Sequence, residues 1–203
     1  MAKEKQIGEV FLKNVRMSFP KLFKKEAATA EGTPKFGGAF LIDPGTSDGK
    51  MNIKKCKAAL KEVMVDKWKK EVTLKQGRCM AFMDGDECIS DSTGEVYGGY
   101  EGMMVVNAKN GKRFPVIDRD KTPLTEEDDK IYGGCYVNAV VRFYAVDDKE
   151  KGGKGIFASL EAVQFKADGE AFGAAPIDVD SYFEDESFED DGEEEEDDDE
   201  GLV

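Results

Sequence analysis

Histidine is absent from this chain of 203 residues. Without an imidazole the protein cannot use a Ser-His or Cys-His nucleophile pair, and it cannot hold zinc through histidine ligands. Cysteine is scarce: Cys56, Cys79, Cys88 and Cys135 lie far apart and form no C-x-x-C pair. A zinc ribbon is therefore not expected, and we interpret the four cysteines as free thiols in a reducing compartment.

Long hydrophobic runs are missing as well. The first ten residues, MAKEKQIGEV, lack the apolar run of a signal peptide. No segment of the sequence approaches the roughly 18 apolar residues of a membrane span. We therefore expect a soluble, cytoplasmic protein with no membrane partner.

Basic residues are absent from the end of the chain. Residues 178–203 contain 16 acidic residues and no lysine or arginine, which leaves 29 basic and 27 acidic residues in 1–177. The formal net charge of -14 is thus +2 for the body and -16 for the tail. Like charges repel one another, and too few apolar residues offset the entropy of ordering. We predict one domain over 1–177 and a disordered acidic tail over 178–203.

This charge division points to a polyanion partner, to an acidic mimic of one, or to both in one chain. A tethered anionic segment can also compete with a polyanion for a cationic groove. The tail residues expected to act in partner contact or autoregulation are Phe183, Phe188, Glu193, Asp197, Leu202 and Val203.

Alternation of apolar and polar residues is the main local pattern of the body. In 8–19 it places Phe11, Val15, Met17 and Phe19 on one side of a strand that we expect to stop at Pro20. Further strands are predicted over 35–43, 78–84, 99–109, 113–118, 133–146 and 154–165. The domain should therefore be mainly β and largely antiparallel.

One segment has helical spacing instead. A helix over about 49–71 is predicted, with Thr46, Ser47 or Asp48 as its N-cap. Its apolar positions are Ile53, Cys56, Leu60, Val63 and Trp68, and its other face carries many lysines. Those lysines form either a solvated face or a ridge that attracts phosphates.

Seven strands and one lateral helix favour an OB-like barrel of five strands, elaborated with extra strands. A two-sheet sandwich is the alternative. Gly-Gly pairs stand at 37–38, 98–99, 133–134 and 152–153, and none has the spacing of a phosphate loop. We interpret them as positions where barrel strands coil or bulge.

The strand within 133–146 suggests a binding surface. One face, from Cys135 to Ala145, is apolar and should line the core, whereas the other shows Tyr136, Asn138, Arg142 and Tyr144. Rings beside a guanidinium suit base stacking and phosphate contact, although the same tyrosines could pack under the helix or in a dimer contact. Similar mixtures add Lys35, Phe36, Tyr97, Tyr100, Lys109, Lys112 and Arg113.

Two carboxylate pairs offer a catalytic alternative. Asp84 with Asp86, and Asp118 with Asp120, could hold Mg²⁺ for phosphodiester hydrolysis. Both pairs stand in turn-like sequences, where aspartate commonly accepts local backbone hydrogen bonds. We therefore predict no catalytic residue, no metal ligand and no cofactor.

Three segments carry a family resemblance: AKNGKRFPVID (108–118), IYGGCYVNAVVRFYAV (131–146) and GIFASLEAVQFKADGE (155–170). They resemble a family of bacteriophage single-stranded DNA-binding proteins with an OB fold. The layout of β body, lateral helix and acidic tail is also similar to the podophage replication-type proteins of that kind. A phage protein of this family would work in the host cytoplasm.

The resemblance implies binding of single-stranded DNA without sequence preference, in phage replication or recombination. It also implies a tail that competes for the DNA groove and docks phage or host replication proteins. Better-known relatives end in an aromatic residue, whereas this chain ends in Leu202-Val203. An acidic DNA-mimic scaffold without direct DNA binding is the alternative; binding of duplex DNA or RNA, and a homodimer, are left open.

Overall fold

Seven strands and one long helix make up the computed structural model, which describes residues 6–27, 32–74, 81–149 and 153–173. The strands are β1 Glu9–Glu26, β2 Lys35–Ile42, β3 Phe82–Asp84, β4 Met104–Asn110, β5 Val116–Ile117, β6 Tyr136–Asp148 and β7 Gly153–Ala167. The helix α1 spans Ser47–Trp68, and single 3-10 turns lie at Gly85–Glu87 and Glu126–Asp128.

The strands form one sheet in the order β3-β4-β2-β1-β6-β7-β5. Every pairing is antiparallel except that of β5 with β7. The strands β4 and β7 also approach each other, since Asn110 Nδ2 donates to the Leu160 carbonyl at 2.8 Å and to Ser159 Oγ at 3.2 Å. Five strands thus follow the cyclic order β1-β2-β4-β7-β6, as in an OB barrel. The predicted mainly-β, OB-like fold with one helix is confirmed.

The strand β6 alternates as predicted. Its inward residues, together with Cys135 just before it, are buried in the barrel core: Cys135, Val137, Ala139, Val141 and Phe143. Ala145 is half-buried and packs against the same core. The alternation of inward and outward residues continues along the whole of β6, because this strand pairs with β7 over its full length.

The strand β1 departs from the prediction. Asn14 has a φ of +52°, and the pairing of β1 with β6 shifts between Leu12 and Val15. The shift changes which residues face inward, so Leu12 and Val15 are both buried, whereas Phe11 is 46% exposed. Phe19 is 51% exposed, so the prediction that Phe11 and Phe19 share one side of the strand with the buried Val15 and Met17 is wrong.

The same strand does not stop at Pro20. It continues to Glu26, and Pro20 stands where the pairing with β2 shifts between Ser18 and Lys21. A proline lacks the N–H that a regular ladder needs, but a bulge leaves that position unpaired. Other predicted bounds differ too: β4 begins at Met104, since Tyr100 and Met103 are in backbone-bonded turns.

The helix α1 packs on the barrel with its predicted apolar side. Cys56 and Val63 are buried, while Ile53, Leu60 and Trp68 are partly buried against the core. Thr46 is the N-cap, and its Oγ1 accepts from the Gly49 N–H at 3.0 Å. The helix ends before Lys69, which has a left-handed φ of +61°. It is too polar to cross a membrane, and no other helix of the described residues is long and apolar enough to do so.

A strap after β7, residues 168–172, packs against the segment that precedes β6. The Tyr132 hydroxyl donates to the Gly169 carbonyl at 2.9 Å and accepts from the Gly169 N–H at 3.0 Å. A Cβ on Gly134 would lie 2.1 Å from the Glu170 carbonyl oxygen, and one on Gly99 would lie 2.3 Å from the Phe172 ring. These two glycines thus make room for the strap, and their interpretation as bulges of barrel strands is wrong.

The described cysteines are free thiols, as predicted. Cys56 and Cys135 are buried, Cys88 is half-buried, and Cys79 lies outside the described residues. Burial raises the pKa of the Cys56 thiol to about 12. These thiols therefore behave as small apolar groups of the core rather than as nucleophiles.

Replacing Gly49 tests the connection between β2 and α1. Alanine favours a helix over glycine by about 1 kcal/mol. A Cβ at this site, however, would lie 1.7 Å from the Asp43 carbonyl oxygen, and overpacking costs about 1 to 3 kcal/mol. We expect the clash to prevail, so that Gly49→Ala lowers the free energy of unfolding in urea. Gly98→Ala is the control because nothing lies within 4 Å of its Cβ position. Equal unfolding midpoints for the two variants would contradict this account.

Candidate nucleic-acid interface

A cleft of about 340 Å³ lies beside β1, β2 and β4. We call it the aromatic cleft. Its lining combines three rings, three lysines and small or polar groups: Phe19, Lys21, Glu26, Lys35, Gly37, Gly38, Ala39, Cys88, Tyr97, Tyr100, Asn107 and Lys109. Rings next to cations are the combination that binds unpaired nucleotides.

The three rings form one cluster. Phe19 meets Tyr97 edge to face with ring centroids 5.1 Å apart, and Tyr97 lies 5.6 Å from Tyr100. Tyr100 is buried, and burial raises its pKa to about 12. Phe19 is 51% exposed. Tyr100 therefore supports the cluster, and Phe19 is the ring that solvent or a ligand reaches.

The strand irregularity explains why Phe19 points outward. Its φ is +48°, and it stands in the shifted segment between Ser18 and Lys21. A left-handed conformation is uncommon for a bulky residue. Such strain is often found at functional sites.

The lysines of the cleft differ in their partners. Lys21 forms an ion pair with Glu26 at 2.7 Å. Lys35 and Lys109 are exposed, and among the described residues neither pairs with a carboxylate. The antiparallel pairing of β2 with β4 brings both to the same end of these strands. Two uncompensated cations thus lie at one end of the cleft.

A second pocket, of about 550 Å³, lies near the contact between β4 and β7. We call it the seam pocket, and it shares Lys35 and Lys109 with the aromatic cleft. The rest of its lining comes from the N-terminal segment, α1, β4, β6 and β7: Ile7, Val63, Asp66, Lys67, Asn110, Gly111, Arg142, Phe143, Tyr144, Ala145 and Ser159.

Two predicted site residues belong to the seam pocket. Arg142 forms an ion pair with Glu161 at 3.1 Å and donates to Gln6 Oε1 at 2.8 Å. Tyr144 is 44% exposed and packs on Phe157 with ring centroids 6.1 Å apart. Partial burial raises the pKa of the Tyr144 hydroxyl.

The other predicted residues line neither pocket. Asn138 accepts from the Asn14 N–H at 3.0 Å and donates to Gln164 at 3.1 Å, so it joins strands. Tyr136 lies 5.8 Å from the Arg16 guanidinium, beside the strap. Phe36 is buried and faces the Phe114 ring. Arg113 lies over that Phe36 ring, 6.0 Å from its centroid, and Lys112 is exposed in the turn after β4.

These positions affect the predicted roles of the rings. The burial of Phe36 and Tyr100 leaves little ring surface for a base, so stacking on either would require the protein to rearrange. Tyr97, which is half-buried, and Tyr144 keep accessible surface. Their roles in binding stay predictions.

Sequence reasoning missed Phe19, Lys21 and Asn107 as lining residues of the cleft. A strict period of two places Phe19 on the same side as Val15 and Met17, but the strand is irregular at this point. The proline that follows it was the available signal, since proline inside a strand marks an edge or a bulge. Asn107 and Lys21 carried no local signal.

The aspartate pairs adopt the turn chemistry predicted for them. Asp84 accepts from the Asp86 N–H at 3.1 Å, and Asp120 accepts from the Thr122 N–H at 2.9 Å. Hydrogen bonds from Lys130 and from the Arg119 N–H lower the pKa of Asp118. Over the described part of the chain, no group of three or more acidic or cysteine side chains is arranged to hold a metal ion.

The acidic tail follows the described part of the chain. Residues 174–203 lie outside the described residues, and with them the predicted tail residues Phe183, Phe188, Glu193, Asp197, Leu202 and Val203. Their roles, and the domain boundary at 177, stay predictions.

Comparison with known proteins identifies the class, phage single-stranded DNA-binding proteins. The family model described as "Enterobacter phage Enc34, ssDNA-binding protein" matches residues 8–198. The chain belongs to this family, which confirms the resemblance seen in the sequence. It is also 37% identical, over 177 residues, to protein p50 of Acyrthosiphon pisum secondary endosymbiont phage 1, covering 87% of this chain and 93% of that protein.

Solved structures show the same fold. The single-stranded DNA-binding protein of bacteriophage Enc34 in complex with ssDNA is 25% identical, with a TM-score of 0.69 over 85% of this chain and 97% of that one. The single-stranded DNA-binding protein gp2.5 of bacteriophage T7 is 12% identical, with a TM-score of 0.51 over 89% and 97% of the two chains. The second likeness concerns the fold alone.

Proposed function

We propose that this protein binds single-stranded DNA without sequence preference and coats it during phage DNA replication or recombination. The observation that carries the proposal is the aromatic cleft, where the exposed Phe19 ring lies in the same cleft as the uncompensated Lys35 and Lys109. Family membership supports it, because a relative of the same fold has been solved with ssDNA.

In the cleft, aromatic rings would bind the bases and lysines would bind the phosphates. A base lies on the Phe19 ring, with Tyr97 as its edge-to-face neighbour. Every base has a π-face, so such stacking tolerates any sequence. Lys35 and Lys109 neutralise phosphates, and the released counterions make the affinity depend on salt.

The acidic tail would regulate this cleft. Its 16 carboxylates are tethered to the domain, and a short flexible tether keeps them near a cationic site at roughly millimolar effective concentration. The tail then occupies the lysines when DNA is absent, and a longer single strand displaces it. We further propose that the tail contacts phage or host replication proteins.

Replacing Phe19 tests the stacking ring. A stacked base is worth about 1 to 3 kcal/mol by alanine substitution, so Phe19→Ala should raise the dissociation constant for oligo-dT by about 5- to 150-fold. Phe11→Ala is the matched control: Phe11 lies on the same strand, is 46% exposed and lines neither pocket. Fluorescence anisotropy at fixed salt measures both. Equal losses of affinity in the two variants would exclude the cleft as the stacking site.

Replacing the two shared lysines tests the phosphate contacts. Each phosphate contact with a single strand contributes about -0.7 to the slope of log affinity against log salt. Lys35→Gln with Lys109→Gln should therefore make the slope shallower by about 1.4. Lys54→Gln with Lys57→Gln, on the exposed face of α1, should leave it unchanged. If the helix pair changes the slope and the cleft pair does not, the helix lysines form the phosphate site.

Removing the tail tests intramolecular competition. Deleting Asp178 to Val203 should tighten oligo-dT binding at low salt, because a tethered competitor is lost. The two proteins should converge as salt screens the charges. The control keeps the tail length but replaces its Asp and Glu residues with Asn and Gln, and it should behave like the deletion. Unchanged affinity in the truncated protein would mean that the tail does not compete.

A further inference from the structure

We infer that the seam pocket is a second subsite for the same DNA strand, reached from the aromatic cleft across Lys35 and Lys109. The inference rests on the proposed function. It adds the path that a DNA strand takes beyond the aromatic cleft. It also predicts that short oligonucleotides do not reach the seam pocket.

Continuity of the two pockets is the first support. Lys35 and Lys109 line both of them. Lys35 begins β2 and Lys109 comes next to last in β4, and the ladder pairs Phe36 with Asn110 and Gly37 with Lys109. A phosphate held by these two lysines therefore stands at the border of both pockets, so the nucleotide that follows it can enter the seam pocket.

Charge is the second support. Lys67 adds a third cation at the end of α1, and it has no ion pair with a carboxylate among the residues described in the structure. Asp66 is the one carboxylate of the lining, while Arg142 is already compensated by Glu161. A net positive lining suits a strand that carries one negative charge for each nucleotide.

An accessible ring is the third support. Tyr144 is 44% exposed, and its contact with Phe157, at an interplanar angle of 35°, holds the ring in place. A ring that is already ordered loses little entropy when a base stacks on it. Ile7 and Val63 supply apolar surface in the same pocket. The seam pocket thus repeats the combination of ring and cations found in the aromatic cleft.

The length of the DNA separates the two subsites. OB folds occupy about 4 to 16 nucleotides, so oligo-dT of about 4 nucleotides should fill the aromatic cleft alone, and about 16 should reach both pockets. In the full-length protein, Tyr144→Ala should leave the dissociation constant for the short oligonucleotide within about 2-fold of wild type. It should weaken binding of the long one by about 5- to 150-fold.

Matched variants complete the experiment. Lys67→Gln should make the salt slope for the long oligonucleotide shallower by about 0.7 and leave that for the short one unchanged. Lys54→Gln on the same helix and Phe11→Ala on β1 are controls that should change neither. Because Lys67 is exposed, this variant keeps the test valid even if Tyr144→Ala does not fold.

Three results would overturn the second subsite. In the first, neither Tyr144→Ala nor Lys67→Gln changes binding at any DNA length. In the second, both variants weaken binding of the short and the long oligonucleotide equally. In the third, Tyr144→Ala tightens binding at every length. The third result would mean that the acidic tail, rather than DNA, occupies the pocket. Failure of the proposed function gives a different pattern, in which Phe19→Ala has no effect on either oligonucleotide.

Discussion

The barrel depends on the pairing of β1 with both β2 and β6. This strand is 18 residues long, and it joins the half of the sheet that forms the aromatic cleft to the half that carries Tyr144. It includes two residues with a left-handed φ, Asn14 and Phe19. Asparagine adopts this conformation readily, whereas it is uncommon for a bulky residue such as phenylalanine. Asn14 lies within the ladder with β6, and Phe19 lies within the ladder with β2. The conformation of Phe19 exposes the ring on which the proposed stacking depends.

Sequence patterns predicted the regular elements well. The buried face of β6 and the helix were recovered because each keeps a single period through its whole length. The prediction for residues 8–19 was wrong for the opposite reason. The pairing shifts near Asn14, which changes the face of the strand that points inward, and the local sequence does not indicate this shift. Strict alternation along the sequence cannot predict where a bulge changes the inward face of a strand.

The candidate site was predicted in part. The sequence predicts Lys35, Tyr97 and Lys109 as separate candidates, and the fold brings them together with Phe19 although they are far apart in sequence. Asn138 looked available for DNA because its partners, Asn14 and Gln164, lie 124 and 26 positions away. Hydrogen bonds to residues distant in sequence therefore decide which polar side chains remain free. The sequence of one strand alone does not show these partners.

The strap also supports the aromatic cleft from behind. The last strand finishes at Ala167, yet Phe172 packs with Tyr97 and Tyr100 in the smaller apolar cluster, and its N–H donates to the Gly133 carbonyl at 2.9 Å. The Arg16 guanidinium lies over the same ring, 4.2 Å from its centroid. A protein shortened to the end of β7 would thus keep every strand and still lose part of the support behind the aromatic cleft. A side chain five residues beyond the sheet therefore belongs to the support of that cleft.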